Sequence, residues 1–148
     1  MLTPEMLSII KVHPLGFVAS LNADGTPNLS PKGTFLALDD THVAFGHIRS
    51  PRTVANLKRN SVVEICFLDV LARRAVKVRG TAEIVERESD DGQALARTFE
   101  AWGEYAPLIK AYVRVTVTGA SLITSPGYDI GHTAEELRAQ YKAKYQAL

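Results

Sequence analysis

The feature that most constrains this chain is a pair of long stretches in two-residue alternation, residues 75–85 and 111–123. In the first, Ala75, Lys77, Arg79 and Thr81 fall on one face and Val76, Val78, Gly80 and Ala82 on the other. In the second, Val113, Val115 and Val117 alternate with Tyr112, Arg114 and Thr116. Successive side chains of a strand point to opposite faces, so each stretch reads as a strand with two dissimilar sides. Shorter runs at residues 16–21, 28–38, 42–46 and 62–68 bring the expected count to about six. Asp24-Gly25 and Asp39-Asp40 supply turns between the first three, which predicts an opening meander.

Helices are expected between these strands. Thr3-Pro4 is a capping hydroxyl followed by proline at the first helical position, with Met6, Leu7 and Ile10 on one face and an end near His13-Pro14. Residues 49–60 change to helical spacing, with Ser50 placed to cap and Pro51 in the first turn. A helix over 88–105 carries Asp90 and Gln93 at capping-box spacing and Leu95, Phe99 and Trp102 in periodic register, closed by Pro107. A last helix, about 133–147, opens on a Thr133/Glu136 capping box. The fold expected is mainly β: a six-stranded antiparallel barrel with peripheral helices, whose closure hides strand edges. At 148 residues, 46% hydrophobic and 22% charged, one domain over residues 1–148 is the simplest organisation.

Composition also limits function. Cys66 is the single cysteine, so no internal disulfide can form, and there is no Cys/His spacing for structural zinc; a reducing, cytoplasmic setting is expected. A net charge of +1 gives no general argument for nucleic acid, and no apolar run approaches the roughly 20 residues that span a bilayer. His13, His42, His47 and His132 are scattered, no serine sits in a nucleophile elbow, and Cys66 reads as a core residue of an apolar strand. Asp39-Asp40 and Asp90-Asp91 have structural positions at a turn and a helix start. No catalytic residue or metal site emerges, so any reaction would draw its chemistry from a bound cofactor.

Two segments could hold such a ligand. Arg49-Ser50-Pro51-Arg52-Thr53 opens a helix, where unpaired N–H groups and a partial positive charge favour an anion. Arg52 offers a planar donor fork and Thr53 a further hydrogen bond, so a phosphate would sit well there; a solvated helix start capped by Ser50 is the simpler alternative. Lys58 and Arg59 suit the C-terminal end of the same helix. Asn28-Leu29-Ser30-Pro31-Lys32-Gly33-Thr34 is unsuited to a central strand, since proline removes a ladder donor and glycine a side chain. It reads as an edge or a bulge where a ligand can approach the backbone beside Lys32, or as a bulged edge with no ligand. The basic strand face of Lys77 and Arg79 is either solvated or a third contributor.

In their order these pieces resemble the pyridoxamine 5′-phosphate oxidase-like superfamily of FMN-binding split β-barrels, in particular its small flavin-nucleotide-binding members. The resemblance is carried by Gly16-Phe17-Val18-Ala19-Ser20 with Asp24-Gly25-Thr26-Pro27, by Leu29-Ser30-Pro31-Lys32-Gly33-Thr34, by Ser50-Pro51-Arg52-Thr53 with Ala55-Asn56, and by Val76-Lys77-Val78-Arg79-Gly80-Thr81-Ala82. It implies a homodimer with FMN at the subunit interface. Arg52 and Thr53 would hold the phosphate, helped by Lys77 or Arg79, with Asn56 near that turn. Ser30, Pro31, Lys32 and Gly33 would line the isoalloxazine edge. Trp102 and Tyr105 would pack on flavin across the interface or else belong to the core.

The resemblance further implies an FMN-dependent oxidoreductase working between a small-molecule electron donor and acceptor. A non-catalytic module that stores or senses flavin, or binds haem or deazaflavin, is the alternative. Two departures argue against pyridoxamine phosphate oxidase activity itself. Gly46-His47 stands where full oxidases carry an aromatic-threonine pair, with Ala75 near their strand glutamine. Ser125-Pro126-Gly127-Tyr128-Asp129 replaces their C-terminal arginine-histidine segment.

Overall fold

The computed structural model describes residues 1–148. Seven strands form one antiparallel sheet: β1 (Gly16–Leu21), β2 (Pro27–Lys32), β3 (Phe35–Ala37), β4 (His42–His47), β5 (Val62–Asp69), β6 (Arg74–Glu86) and β7 (Ala111–Thr124). Their spatial order is β2-β1-β5-β6-β7-β4-β3. The edge strands β2 and β3 therefore lie at opposite ends of the sheet, yet only Gly33 and Thr34 separate them in the chain. Two residues span at most about 7 Å, so the sheet must curl until its edges nearly meet. Thr34 extends the β3–β4 ladder beside the link: its carbonyl accepts from the Gly46 N–H at 3.2 Å and its hydroxyl donates to the Gly46 carbonyl at 3.2 Å.

This corrects the expected second strand and the meander. Residues 28–38 are two edge strands, β2 paired with β1 and β3 paired with β4. The break falls at Gly33, where Pro31 has already removed one ladder donor. The count is therefore seven strands rather than six, while the mainly β split-barrel architecture is as expected.

Five α-helices and one 3₁₀ segment accompany the sheet. Helix α1 (Pro4–Val12) is capped by Thr3, whose hydroxyl accepts from the Met6 N–H, and it buries Met6, Ile9 and Ile10. These side chains join Val18, Phe35, Phe45, Phe67, Val76, Val113 and Val115 in the barrel interior. Phe35 packs on Phe45 at 5.0 Å and edge-on to Phe67 at 4.7 Å, geometries that favour aromatic pairs. Helix α2 is Pro51–Arg59 and helix α3 is Asp90–Phe99. Outside the barrel, Leu95 and Phe99 of α3 cover Ala44, Val85, Ile109 and Tyr112 in a second cluster.

The expected long helix stops earlier than its periodicity suggested. After Phe99 the chain becomes a 3₁₀ strap, Glu100–Leu108, kinked at Gly103 (φ 56°, ψ −122°), a conformation that strongly favours glycine. Its cap differs too: the Ser89 hydroxyl, not Asp90, accepts from the Gly92 N–H. A short helix α4 (Pro126–Asp129) precedes α5 (Ala134–Gln146), which has the expected capping box of Thr133 and Glu136. No helix is long and apolar enough to cross a membrane.

One buried carboxylate holds the C-terminal helix to the barrel. Asp69 is 1% exposed. It accepts from the Ala72 N–H at 3.0 Å, lies 3.3 Å from Arg74 Nε and 3.4 Å from Arg138 on α5, and has His13 at 3.4 Å. Burial pushes this carboxyl up, but the Ala72 N–H and the surrounding cations outweigh it and hold it below the ordinary aspartate value. An unfolded aspartate titrates near pH 3.9, so the clamp contributes fully above about pH 4 and is lost as pH falls through the lower folded value. Asp69→Asn should cost about 2 kcal/mol in urea unfolding at pH 7, and the difference from the unsubstituted protein should shrink in the same measurement below pH 4.

Candidate functional site

Alternation along β2 turns Asn28, Ser30 and Lys32 inward and Leu29 and Pro31 outward. Lys32 is only 9% exposed, and its ammonium donates to the Ser30 hydroxyl at 2.6 Å with no carboxylate partner. Burial lowers its pKa, because desolvation penalises the charged form. Lys32 opens onto a cavity of about 610 Å³ at the barrel seam. Ser30, Pro31, Gly33 and Thr34 form one wall, Gly46, Ile48, Arg49 and Ser50 a second, and Trp102, Tyr105 and Leu108 of the strap a third. The only charged residues of this lining are Lys32 and Arg49, both cationic.

The second wall is the start of α2. Ser50 occupies the N-cap position, but its side chain makes no capping bond, contrary to expectation. Its hydroxyl is left to the cavity that it lines. Helix α2 is amphipathic and rests Val54 and Leu57 on the barrel, which fixes the direction of its N-terminus. His47 ends β4 on the same side and accepts from the Ser50 N–H at 3.4 Å. Burial first, then the charges of Lys110, Lys32 and Lys58, hold the His47 imidazole below its usual value of 6.5. The region is thus uniformly electropositive. Gly46 meets a steric demand: a Cβ there would stand 2.6 Å from Ile109 Cδ1.

Of the residues singled out in the sequence, Ser30, Pro31, Lys32, Gly33 and Trp102 come together in this cavity. Arg52, Thr53 and Asn56 do not line it. Arg52 is exposed, within electrostatic reach of Asp24. Thr53 is buried and its hydroxyl accepts from the Asn28 amide at 3.4 Å. The Asn56 amide donates to Ser20 Oγ at 3.1 Å and Asn22 Oδ1 at 3.0 Å and accepts from Arg59 at 3.0 Å, so it ties α2 to the β1–β2 hairpin.

Lys77 and Arg79 lie elsewhere, on the outer face of the sheet. Each stands 3.5 Å from Glu64 of the neighbouring strand, so the basic strand face is partly neutralised across strands. They line a separate groove of about 260 Å³. Cys66 points to this outer face rather than into the core, and burial pushes its thiol up, away from the reactive thiolate. Ile48 and Leu108 were not evident as cavity residues in the sequence, because their contact depends on how the strap folds back. No cluster of three or more His, Cys, Asp or Glu could hold a metal ion.

The sequence model of the family described as pyridoxamine 5′-phosphate oxidase matches residues 2–145. The chain belongs to the pyridoxamine 5′-phosphate oxidase family. Among solved structures it is similar to a candidate pyridoxamine 5′-phosphate oxidase from Lactobacillus delbrueckii, at 29% identity and TM-score 0.67, covering 81% of this chain and 93% of that one. It is also similar to HupZ of Group A Streptococcus, at 26% identity and TM-score 0.70, covering 84% and 96%. An FMN-binding protein from Syntrophomonas wolfei shares the fold at 11% identity and TM-score 0.67, covering 81% and 84%. No protein of curated function matches the sequence.

Removing the positive charge of Lys32 should relieve His47. In Lys32→Met the His47 pKa should rise toward 6.5, because one of the charges opposing its protonation is gone. An NMR titration of the imidazole proton resonances measures this directly, and an unmoved value would detach Lys32 from the electropositive cavity.

Proposed function

We propose that the protein binds FMN in the seam cavity and acts as a flavin-dependent oxidoreductase with small-molecule partners. The observation that carries this reading is Lys32, a nearly buried cation facing an acid-free cavity with no counter-ion. Burying an unpaired charge costs stability, and an anionic ligand offsets that cost. Family membership supports FMN as the anion, and the cavity volume falls in the usual range for small-molecule sites.

In this reading Lys32, Arg49 and the start of α2 at Ser50 attract the phosphate, while Arg52 lies at the first turn of the helix outside the cavity lining and the buried Thr53 hydroxyl stays with Asn28. Ser30, Pro31 and Gly33 present backbone and small side chains to the ring edge. Lys32 holds positive charge beside the ring, which favours the more negative reduced form and raises the potential. The strap bearing Trp102 and Tyr105 screens the cavity from water. The flavin, when bound, supplies the electron-transfer chemistry that no side chain of this site can perform.

The outer sheet face supports a homodimer. Leu21, Leu29, Val62, Leu68 and Ile123 are exposed large apolar residues on or beside it, and apolar area of this kind marks an association surface. Its central Lys77, Glu64 and Arg79 carry both signs of charge, which keeps the face from repelling its own copy outright. We propose that a second copy of this chain covers it. Light scattering should return twice the chain mass of 16.2 kDa.

Absorption spectroscopy of the purified protein, with mass spectrometry of the released ligand, should identify FMN. Haem or deazaflavin would instead favour the binding-module reading, as would FMN that no reductant or acceptor turns over. Lys32→Ala should weaken FMN by more than tenfold, since losing one partner of a desolvated charge pair costs about 2–5 kcal/mol. Lys32→Met, once loaded, should have a lower flavin midpoint potential. Full FMN retention in Lys32→Ala would move the anion site away from the seam.

A further inference from the structure

Behind the strap lies a second cavity, of about 540 Å³, enclosed by α1, β3 and the residues after it. Leu7, Ile10, Phe35, Leu36, Leu38 and Trp102 make it mainly apolar. Its charged residues are Lys11, Asp39 and Asp40, the reverse of the balance in the seam cavity. Asp39 is a carboxylate at any physiological pH: the N–H and hydroxyl of Thr41 donate to it and, with His42, bring its pKa to about 2. A second anion would be repelled here, whereas a neutral apolar molecule would not.

Trp102 belongs to both cavities. Its indole Nε1 is buried and has no hydrogen-bond acceptor in the protein. A buried donor without an acceptor loses its hydration for nothing, at a cost of about 1–3 kcal/mol. The seam cavity offers the hydroxyls of Ser30, Thr34 and Ser50, while the apolar cavity offers the indole no neutral side-chain acceptor. The strap turns at Gly103, next to Trp102, whose ring is half-buried against the Leu95–Phe99–Tyr112 cluster, so presenting the N–H to a ligand takes a rotation of the indole at the strap's kink.

We infer that this second cavity binds a small, uncharged, largely apolar molecule whose carbonyl oxygen accepts a hydrogen bond from the Trp102 indole. The apolar walls supply the affinity, and the indole N–H selects a ketone, quinone or amide oxygen over a plain hydrocarbon. The acidic residues at the rim turn away carboxylates and phosphates. The two cavities thereby sort ligands by charge on either side of one aromatic ring. This inference does not depend on the identity of the anion held at Lys32.

Trp102 is the single tryptophan, so an ¹H–¹⁵N correlation spectrum of the labelled protein contains one indole signal. Titration of the purified protein with acetophenone should move that proton downfield with saturation. Ethylbenzene, which lacks the acceptor, and benzoate, which carries the wrong charge, should produce no downfield shift. Ala101→Phe and Leu7→Phe, which fill the cavity from its exposed and half-buried walls, should weaken acetophenone by about tenfold, roughly 1.4 kcal/mol. Lys32→Ala should leave its affinity unchanged while abolishing tight FMN binding. No saturable shift, an equal shift with benzoate, unaltered affinity in both filled variants, or loss in Lys32→Ala would each overturn the assignment. Failure of FMN to bind would overturn only the flavin reading.

Discussion

The structure depends on a covalent constraint two residues long. Gly33 and Thr34 join the two edge strands of a seven-stranded sheet, and a flat sheet of that width could not be linked so briefly. The chain therefore rolls the sheet, α1 fills the interior with Met6, Ile9 and Ile10, and the Thr34–Gly46 hydrogen bonds anchor the link to β4. Because β2 and β3 do not pair with each other, an opening remains beside the link. The cavity is a consequence of how the barrel closes, and Lys32 reaches it because strand alternation turns the last residue of β2 inward.

Charge then distinguishes this opening from the rest of the surface. Five cations elsewhere are paired with carboxylates: Arg74 and Arg138 on Asp69, Lys77 and Arg79 on Glu64, and Arg114 on Glu83 and Asp91. At the seam Lys32 has a hydroxyl alone, and burial together with its lysine neighbours holds the His47 imidazole below its usual pKa. An electropositive, partly desolvated concavity binds anions strongly because solvent screens it little. The strap brings Trp102, half-buried against the outer cluster, and the exposed Tyr105 to the third wall.

Local rules predicted much of this. Thr3 and Thr133 cap their helices as read, and the alternation in β6 and β7 places Val76, Val78, Val113 and Val115 in the core. Proline and glycine near Lys32 marked an edge strand. The misreadings have a common origin in distance along the chain. The Ser50 hydroxyl was assigned to its own helix, yet it lines a cavity built with β2 and the strap. Lys77 and Arg79 read as either a solvated face or a third contributor to the site, and nothing in their own segment shows Glu64 in register on β5. Periodicity carried the third helix through Trp102, whereas the backbone at Gly103 ends it.

Sequence by itself therefore determined most of the elements, the core face of β6 and β7, the edge character of residues 28–34 and the family, since these follow from spacing and from backbone chemistry within a few residues. Tertiary structure alone decided which basic residues share a site. Lys32 lost its solvent without gaining a carboxylate, while Asn56 became a tie to the β1–β2 hairpin and Arg79 met Glu64. Desolvation and pairing are properties of what lies across space, and a charged side chain's energy is set by its neighbours rather than by its place in the chain.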